Sequence, residues 1–246
     1  MNILKAFLIC LVSALLIALP TGCKKTATNV IEKGTVKDYE GNSYPTVKIG
    51  SQWWMAKNLK ATKYNNGEQI GTTTPYSLSI TGATSPEYHW AYQGSESIAA
   101  IYGRQYTWYA ATDSRNVCPA GWHVPSDTEW SVLTDYLAAN GYGYQTSSNA
   151  ISKSLAATSG WLMYAITGVP GNDQVSNNRT GFGAMPGGLR LANGTYQNAG
   201  ETAYYWSSTA DIPALSSYRL ISFDINSVQA GNLPKESGMS VRCVKD

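Results

Sequence analysis

Histidine is scarce: the 246-residue chain has 2, His89 and His123, far apart and each without an obvious triad partner. Charge is scarce as well. Charged residues make up 14% of the chain, against about 25% in a typical soluble domain. The formal net charge is +2 with no Lys/Arg run, which excludes nucleic acid as a partner. No G-x-x-x-x-G-K-[ST], G-x-S-x-G or H-E-x-x-H occurs, so the signatures of phosphate loops, serine hydrolases and zinc proteases are missing. Nothing singles out a carboxylate pair for glycoside hydrolysis. We assign no catalytic residue and read the chain as not an enzyme. Phe numbers 3, whereas Tyr (17) and Trp (8) are abundant. Their apolar bodies with polar handles suit half-wet binding faces as well as cores.

The beginning of the chain reads as a targeting signal. Lys5 precedes an apolar stretch, Ala6 to Leu19, broken only by Ser13. It is shorter than the roughly 20 residues of a spanning helix, as expected of an export signal. It ends in Leu19-Pro20-Thr21-Gly22-Cys23, which resembles a bacterial lipobox with Cys23 as the lipidated residue and Pro20 where Leu is usual. Residues 1–22 are thus expected to be a lipoprotein signal peptide. The polar residues 23–33 are expected to be a flexible tether, and 34–246 the functional domain. Each buried CH₂ of an acyl chain contributes about 0.8 kcal/mol, so the membrane is an expected partner through this anchor. The expected location is the cell envelope, at the outer membrane or cell surface.

Export makes the cysteines informative. Cys10 leaves with the signal and Cys23 takes lipid, so Cys118 and Cys243 remain. Two thiols in an oxidising compartment are most simply one disulfide. A thiolate metal site would call for a neighbouring Cys or His at ligand spacing, and the sequence has none.

The domain opens with alternating apolar and polar residues. Val36, Tyr44, Val47, Ile49, Trp53 and Met55 are punctuated by turn residues at 40–42 and 50–51, which predicts a three-stranded meander. Residues 64–97, rich in Gly, Thr and Ser, read as an extended surface segment. Tyr102, Tyr106, Tyr109 and Ala110 fall at helical spacing and predict a short helix. In "CPAGWHVPSDTEW", Ser126-Asp127-Thr128-Glu129 has the form of a capping box. Trp130, Leu133 and Leu137 behind it make one apolar face, and Asn140-Gly141 supplies the stop. Ser126 and Glu129 are therefore structural cap residues, and His123 a structural residue in the extended entry to the helix.

"DYEGNSYPTVKIGSQWWMAKNL", "YGRQYTWYAA", "CPAGWHVPSDTEW", "TSGW", "TGFGAMPGGLR", "YYWSST" and "SVRCVKD" occur in this order. Together they resemble the Fibrobacter succinogenes major paralogous domain family of exported lipoproteins, over about Gly34 to Asp246. Lys57 stands where that family commonly has Glu. The resemblance implies an α+β fold of the C-type lectin-like kind, with twisted antiparallel sheets, two main helices and long irregular loops. "HVPSDTEW" and "VRCV" are also similar to segments of formylglycine-generating enzymes. Those enzymes need two closely spaced cysteines near the C-terminus, and Cys243 stands alone there.

The remaining half predicts a short helix over 150–157 and strands over 182–191, 203–208, 218–224 and 239–244, with a bulge or tight approach at Gly187-Gly188. Between them lies "WLMYAITGVPGNDQVSNNR", irregular and rich in Gly, Asn and Asp. The oxygens of Asn172, Asp173, Asn177 and Asn178 could take Ca²⁺, but the spacing is not that of an EF-hand and turn chemistry accounts for these residues better. No metal or other cofactor is expected. Trp161, Tyr164, Asn172, Asp173, Asn177 and Asn178 form the candidate ligand-binding set, because sugars favour an aromatic face beside amides and carboxylates. The expected function is non-catalytic binding or adhesion to a glycan or an extracellular or envelope protein. The alternatives are a relative of the formylglycine-generating enzymes and a purely structural envelope component. If Cys23 carries the anchor, Cys23→Ser should remove acyl labelling and move the protein from the membrane fraction to the soluble one.

Overall fold

The computed structural model describes residues 31–145 and 147–246; the signal segment and Cys23 lie outside the described residues. Strands β1 (Lys33–Lys37), β2 (Ser43–Ile49) and β3 (Gln52–Met55) form the expected antiparallel meander. In β2 the buried positions include Tyr44, Val47 and Ile49, the set picked out by alternation. The first turn is tied by Asp38, whose carboxylate accepts from the Asn42 amide at 2.9 Å and the Tyr44 hydroxyl at 2.7 Å. The sheet starts inside the expected tether, since Lys33 pairs with Val47 and the Glu32 carbonyl accepts from Lys48 N.

Residues 64–97 lie largely at the surface, as expected, but are anchored at intervals. Tyr64, Ile70, Ile80 and Trp90 are buried, and β4 (His89–Trp90) joins a sheet. The helix expected around 102–110 is split. Helix α1 (Glu96–Tyr102) stops at Gly103, whose φ of +76° is open to glycine at little cost. The chain then forms β5 (Gln105–Tyr106) before α2 (Trp108–Ala111) restarts under a Thr107 cap. Tyr106 is thus a strand residue despite its helical spacing.

After β6 (Trp122–His123) comes α3 (Asp127–Ala139), the one long helix among the described residues. Both halves of the Ser126/Glu129 capping box are present, and Trp130, Leu133 and Leu137 are buried. Helix α4 (Ser152–Leu155) is a single turn, as is α2, so among the described residues the two longer helices are α3 with 13 residues and α1 with 7. The C-terminal half adds β7 (Gly187–Arg190), β8 (Tyr196–Ala199), β9 (Thr202–Ile212), β10 (Leu215–Ser222), β11 (Gln229–Pro234), β12 (Met239–Ser240) and β13 (Val244–Lys245). Strand β7 starts later than expected because the chain at Gly181 and Gly183 has positive φ. At Gly188 a Cβ would lie 2.2 Å from the Gln197 carbonyl oxygen, so the β7–β8 approach requires glycine.

The chain is α+β. One sheet runs β1-β2-β3-β13-β6, and an eight-stranded sheet follows β11-β10-β9-β12-β5-β4 with β7 and β8 attached. Pairing is mostly antiparallel, but β9 makes single parallel pairings with β12 and β7. One core cluster gathers Tyr44, Met55, Tyr106, Trp206 and Met239 around the disulfide cysteines. The other packs α3 onto the sheet through Trp54, Trp130 and Phe182, with the two Trp ring centroids 4.8 Å apart. Among the described residues no helix is long and apolar enough to cross a membrane.

Cys118 and Cys243 form the disulfide, buried where β13 begins. It spans 125 residues, for which chain entropy gives about 4–5 kcal/mol. Replacing both cysteines with Ala should lower the unfolding free energy by about this amount, read from denaturant titrations.

Candidate functional site

His123 is not the lone imidazole that the sequence suggests. Register with Val244 places it beside the chain's last strand, so Nδ1 meets Asp246 Oδ1 at 2.6 Å while Nε2 meets Glu129 Oε1 at 2.7 Å. The other oxygen of Glu129 accepts from the Ser126 amide and hydroxyl. Ser126 Oγ is therefore engaged by Glu129 and not by the imidazole. Burial would lower the His123 pKa, but the Asp246 and Glu129 carboxylates outweigh it and raise it above 6.5. Burial would likewise raise Glu129, yet Ser126 and His123 hold it below the ordinary carboxylate range. The imidazole thus clasps the helix cap to the chain terminus.

The six residues of the candidate ligand set do not share one face. Trp161 is 4% exposed and donates through Nε1 to the Ala157 carbonyl; its own backbone is gripped by the Gln174 amide. Asn177 is also buried, donating to the carbonyls of Ala157 and Pro170. Asp173 and Asn178 take left-handed backbone conformations, as turn residues do. Tyr164 leans edge-on against Phe223, with Asn172 donating to its carbonyl. One of the side-chain oxygens that were candidates for Ca²⁺, on Asn177, serves another cation together with two backbone carbonyls of the loop. Lys153 donates to the carbonyls of Asn172 and Asp173 and, at 2.8 Å, to Asn177 Oδ1. Burial lowers the Lys153 pKa, opposed by Asp173. The outward surface of the loop is apolar instead: Leu162, Met163, Tyr164, Ile166 and Val175 are exposed. Of the polar side chains read from the sequence, Asn177 faces inward to Lys153, while Asp173, Ser176 and Arg179 stay exposed beside these apolar residues.

The concave surface lies along α1. A cleft of about 410 Å³ sits between Lys57 and Asn58 after β3, Ile101 of α1, and Ser159, Asn178 and Met185. Lys60, Ala99 and Ala100 belong both to this cleft and to a neighbour of about 270 Å³. Glu96 and Arg104 in turn belong to that neighbour and to a third cleft of about 360 Å³, lined by residues 72–76, His89 and Trp90. The clefts abut as a groove. Its middle is charge-matched: Arg104 Nη2 meets Glu96 at 2.5 Å and Arg104 Nε donates to the Lys60 carbonyl. Of the six predicted residues only Asn178 lines it, with Oδ1 accepting from Gly183 N. Most groove residues escaped the sequence reading, because small side chains such as Ala100 carry no chemical signal until the fold makes them a wall. Lys57, the departure from the family pattern, lines the cleft of about 410 Å³.

With this geometry in place, the chain is an α+β domain whose concave face is built from loops around a short helix. The family profile of the Fibrobacter succinogenes major domain matches residues 47–245, and the chain belongs to that family. No curated protein and no solved structure matches it.

The clasp gives a pH dependence of defined sign. Folded His123 holds its proton more tightly than the unfolded chain, so its contribution is complete below about pH 6.5 and is lost as pH rises through the folded pKa. The Glu129 contribution is present above about pH 4.5 and is lost toward acid. Urea midpoints should therefore decline as pH rises above about 6.5, and His123→Gln should flatten that decline.

Proposed function

We propose that the chain is a non-catalytic binding module of C-type lectin-like fold, lipid-anchored through Cys23 at the outer membrane or cell surface, that grips an extended polymer chain along the α1 groove. The observation that carries this reading is the abutment of three clefts through shared walls. A single small ligand fills one cavity, whereas successive units of a polymer fill a row of them. The walls are loops and a short helix mounted on sheets, the usual arrangement for binding surfaces. The lectin-like reading draws on the family resemblance and on the first and last described strands sharing one sheet. The anchor reading draws on the apolar segment ending at Gly22-Cys23.

Ala100 is exposed and borders two clefts, so a large side chain there blocks the groove without touching the core. Ala100→Trp should weaken capture of envelope or extracellular polymers by at least about tenfold, a loss of about 1.4 kcal/mol, with an unchanged circular dichroism spectrum. Equal capture by wild type and variant on a biosensor, or none by wild type, defeats the proposal.

A further inference from the structure

We infer that the third cleft, between residues 72–76 and β4, is a subsite for a neutral pyranose unit, with His89 as the group that hydrogen-bonds it; this rests on the polymer-binding reading of the groove. The cleft volume of about 360 Å³ lies within the range of about 300–1,000 Å³ typical of small-molecule sites. His89 lines it, is 6% exposed, and has no hydrogen-bond partner on Nδ1. Nδ1 is itself enclosed, but Nε2 likewise makes no hydrogen bond among the described residues; an imidazole unpaired at both nitrogens in a cleft wall is uncommon and leaves Nε2 for a ligand. Burial, then the nearby Arg104, pushes the His89 pKa down to about 3, so the ring stays neutral and offers one donor and one acceptor.

The surroundings select the ligand class. Thr73 is committed, accepting from Trp90 Nε1 and donating to the Pro75 carbonyl. Thr72 and Thr74 are exposed on the same rim and add free hydroxyls. The Tyr76 ring is 44% exposed and gives a flat apolar surface for the C–H face of a sugar. An anion would have to compete with Glu96 for Arg104, and a cation with Arg104 for Glu96, so the paired charges of the rim favour a neutral ligand. A peptide adding as a strand is disfavoured because the outer edge of β4 is taken. His89 N donates to the Gly71 carbonyl at 2.8 Å and Gly71 N to the Glu87 carbonyl at 3.1 Å. What remains is a neutral, polyhydroxylated ring.

The test is NMR titration of the full chain with methyl glucoside, galactoside and mannoside, with glucuronate as the charged control. At least one glycoside should shift the His89 imidazole and the amides of residues 72–76 in a saturable manner, more strongly than glucuronate does. His89→Phe keeps a flat ring without nitrogens and should abolish the shifts, while Ala100→Trp should leave them. Should His89→Phe fail to fold, Tyr76→Ala carries the test and should weaken binding at least threefold, about 0.7 kcal/mol. The inference falls if no glycoside shifts these signals, if glucuronate binds more strongly, or if the folded variant binds as wild type does. It also falls if wild type captures only proteins. Loss of polymer capture in Ala100→Trp with unchanged binding in His89→Phe would sink this subsite and keep the groove.

Discussion

Arg242 is a fully buried cation without a carboxylate partner. Its guanidinium donates to the carbonyls of Met55 and Phe182 and to Asn58 Oδ1, and lies over the Phe182 ring at 4.4 Å. A buried charge is tolerable only when its N–H groups are satisfied, and removing one side of such an arrangement costs several kcal/mol. The constraint runs both ways. Backbone that leaves a sheet irregularly carries carbonyls with no ladder partner, and a multi-donor cation satisfies several at once. Arg242 thereby joins the β12–β13 segment, the end of β3 and the chain at 182–183.

The same device recurs. Arg190, also fully buried, donates to the carbonyls of Tyr76, Leu78 and Leu191 and lies 4.0 Å over Trp90. Lys153 gathers the loop at 172–177, and Lys235 donates to the Pro213 carbonyl above Trp108. None of these four buried cations forms a carboxylate ion pair among the described residues. A chain with little charge thus spends part of it on organising loops. Each of the first three holds a surface feature in place: Arg242 the chain beside the cleft of about 410 Å³, Arg190 the segment 76–78 beside the cleft containing His89, and Lys153 the loop at 172–177. Groove geometry and core integrity are consequently one problem, because the side chains that hold the walls also fill the interior.

Legibility followed the range of the interactions. The meander was readable because alternation and turn residues lie within a few positions of one another. The cap of α3 was readable because both partners, Ser126 and Glu129, fall within one helical turn. The cysteine pair was readable through counting and compartment. Tyr106 misled, since its helical spacing from Tyr102 was overridden by Gly103 and by pairing with His89 and Met239. The loop at 161–179 misled more deeply. Its Asn and Asp residues appeared free for a ligand, yet Lys153 of α4 takes Asn177 Oδ1 and the backbone carbonyls of Asn172 and Asp173, and Leu162, Met163 and Ile166 lie exposed.

The amino-acid sequence by itself determined the family, the α+β class, the capped helix, the disulfide and the poverty of obvious catalytic chemistry. The family and the α+β class rest on the ordered motifs and the resemblance they carry, and the others on neighbours within a turn, on composition or on a count. Tertiary structure alone decided that His123 meets Asp246, that Lys153 takes the oxygens of the long loop, and that Ala100, Arg104 and His89 border one groove. Those facts depend on strand register and on cations reaching across scores of residues, and neither periodicity nor residue type carries that information.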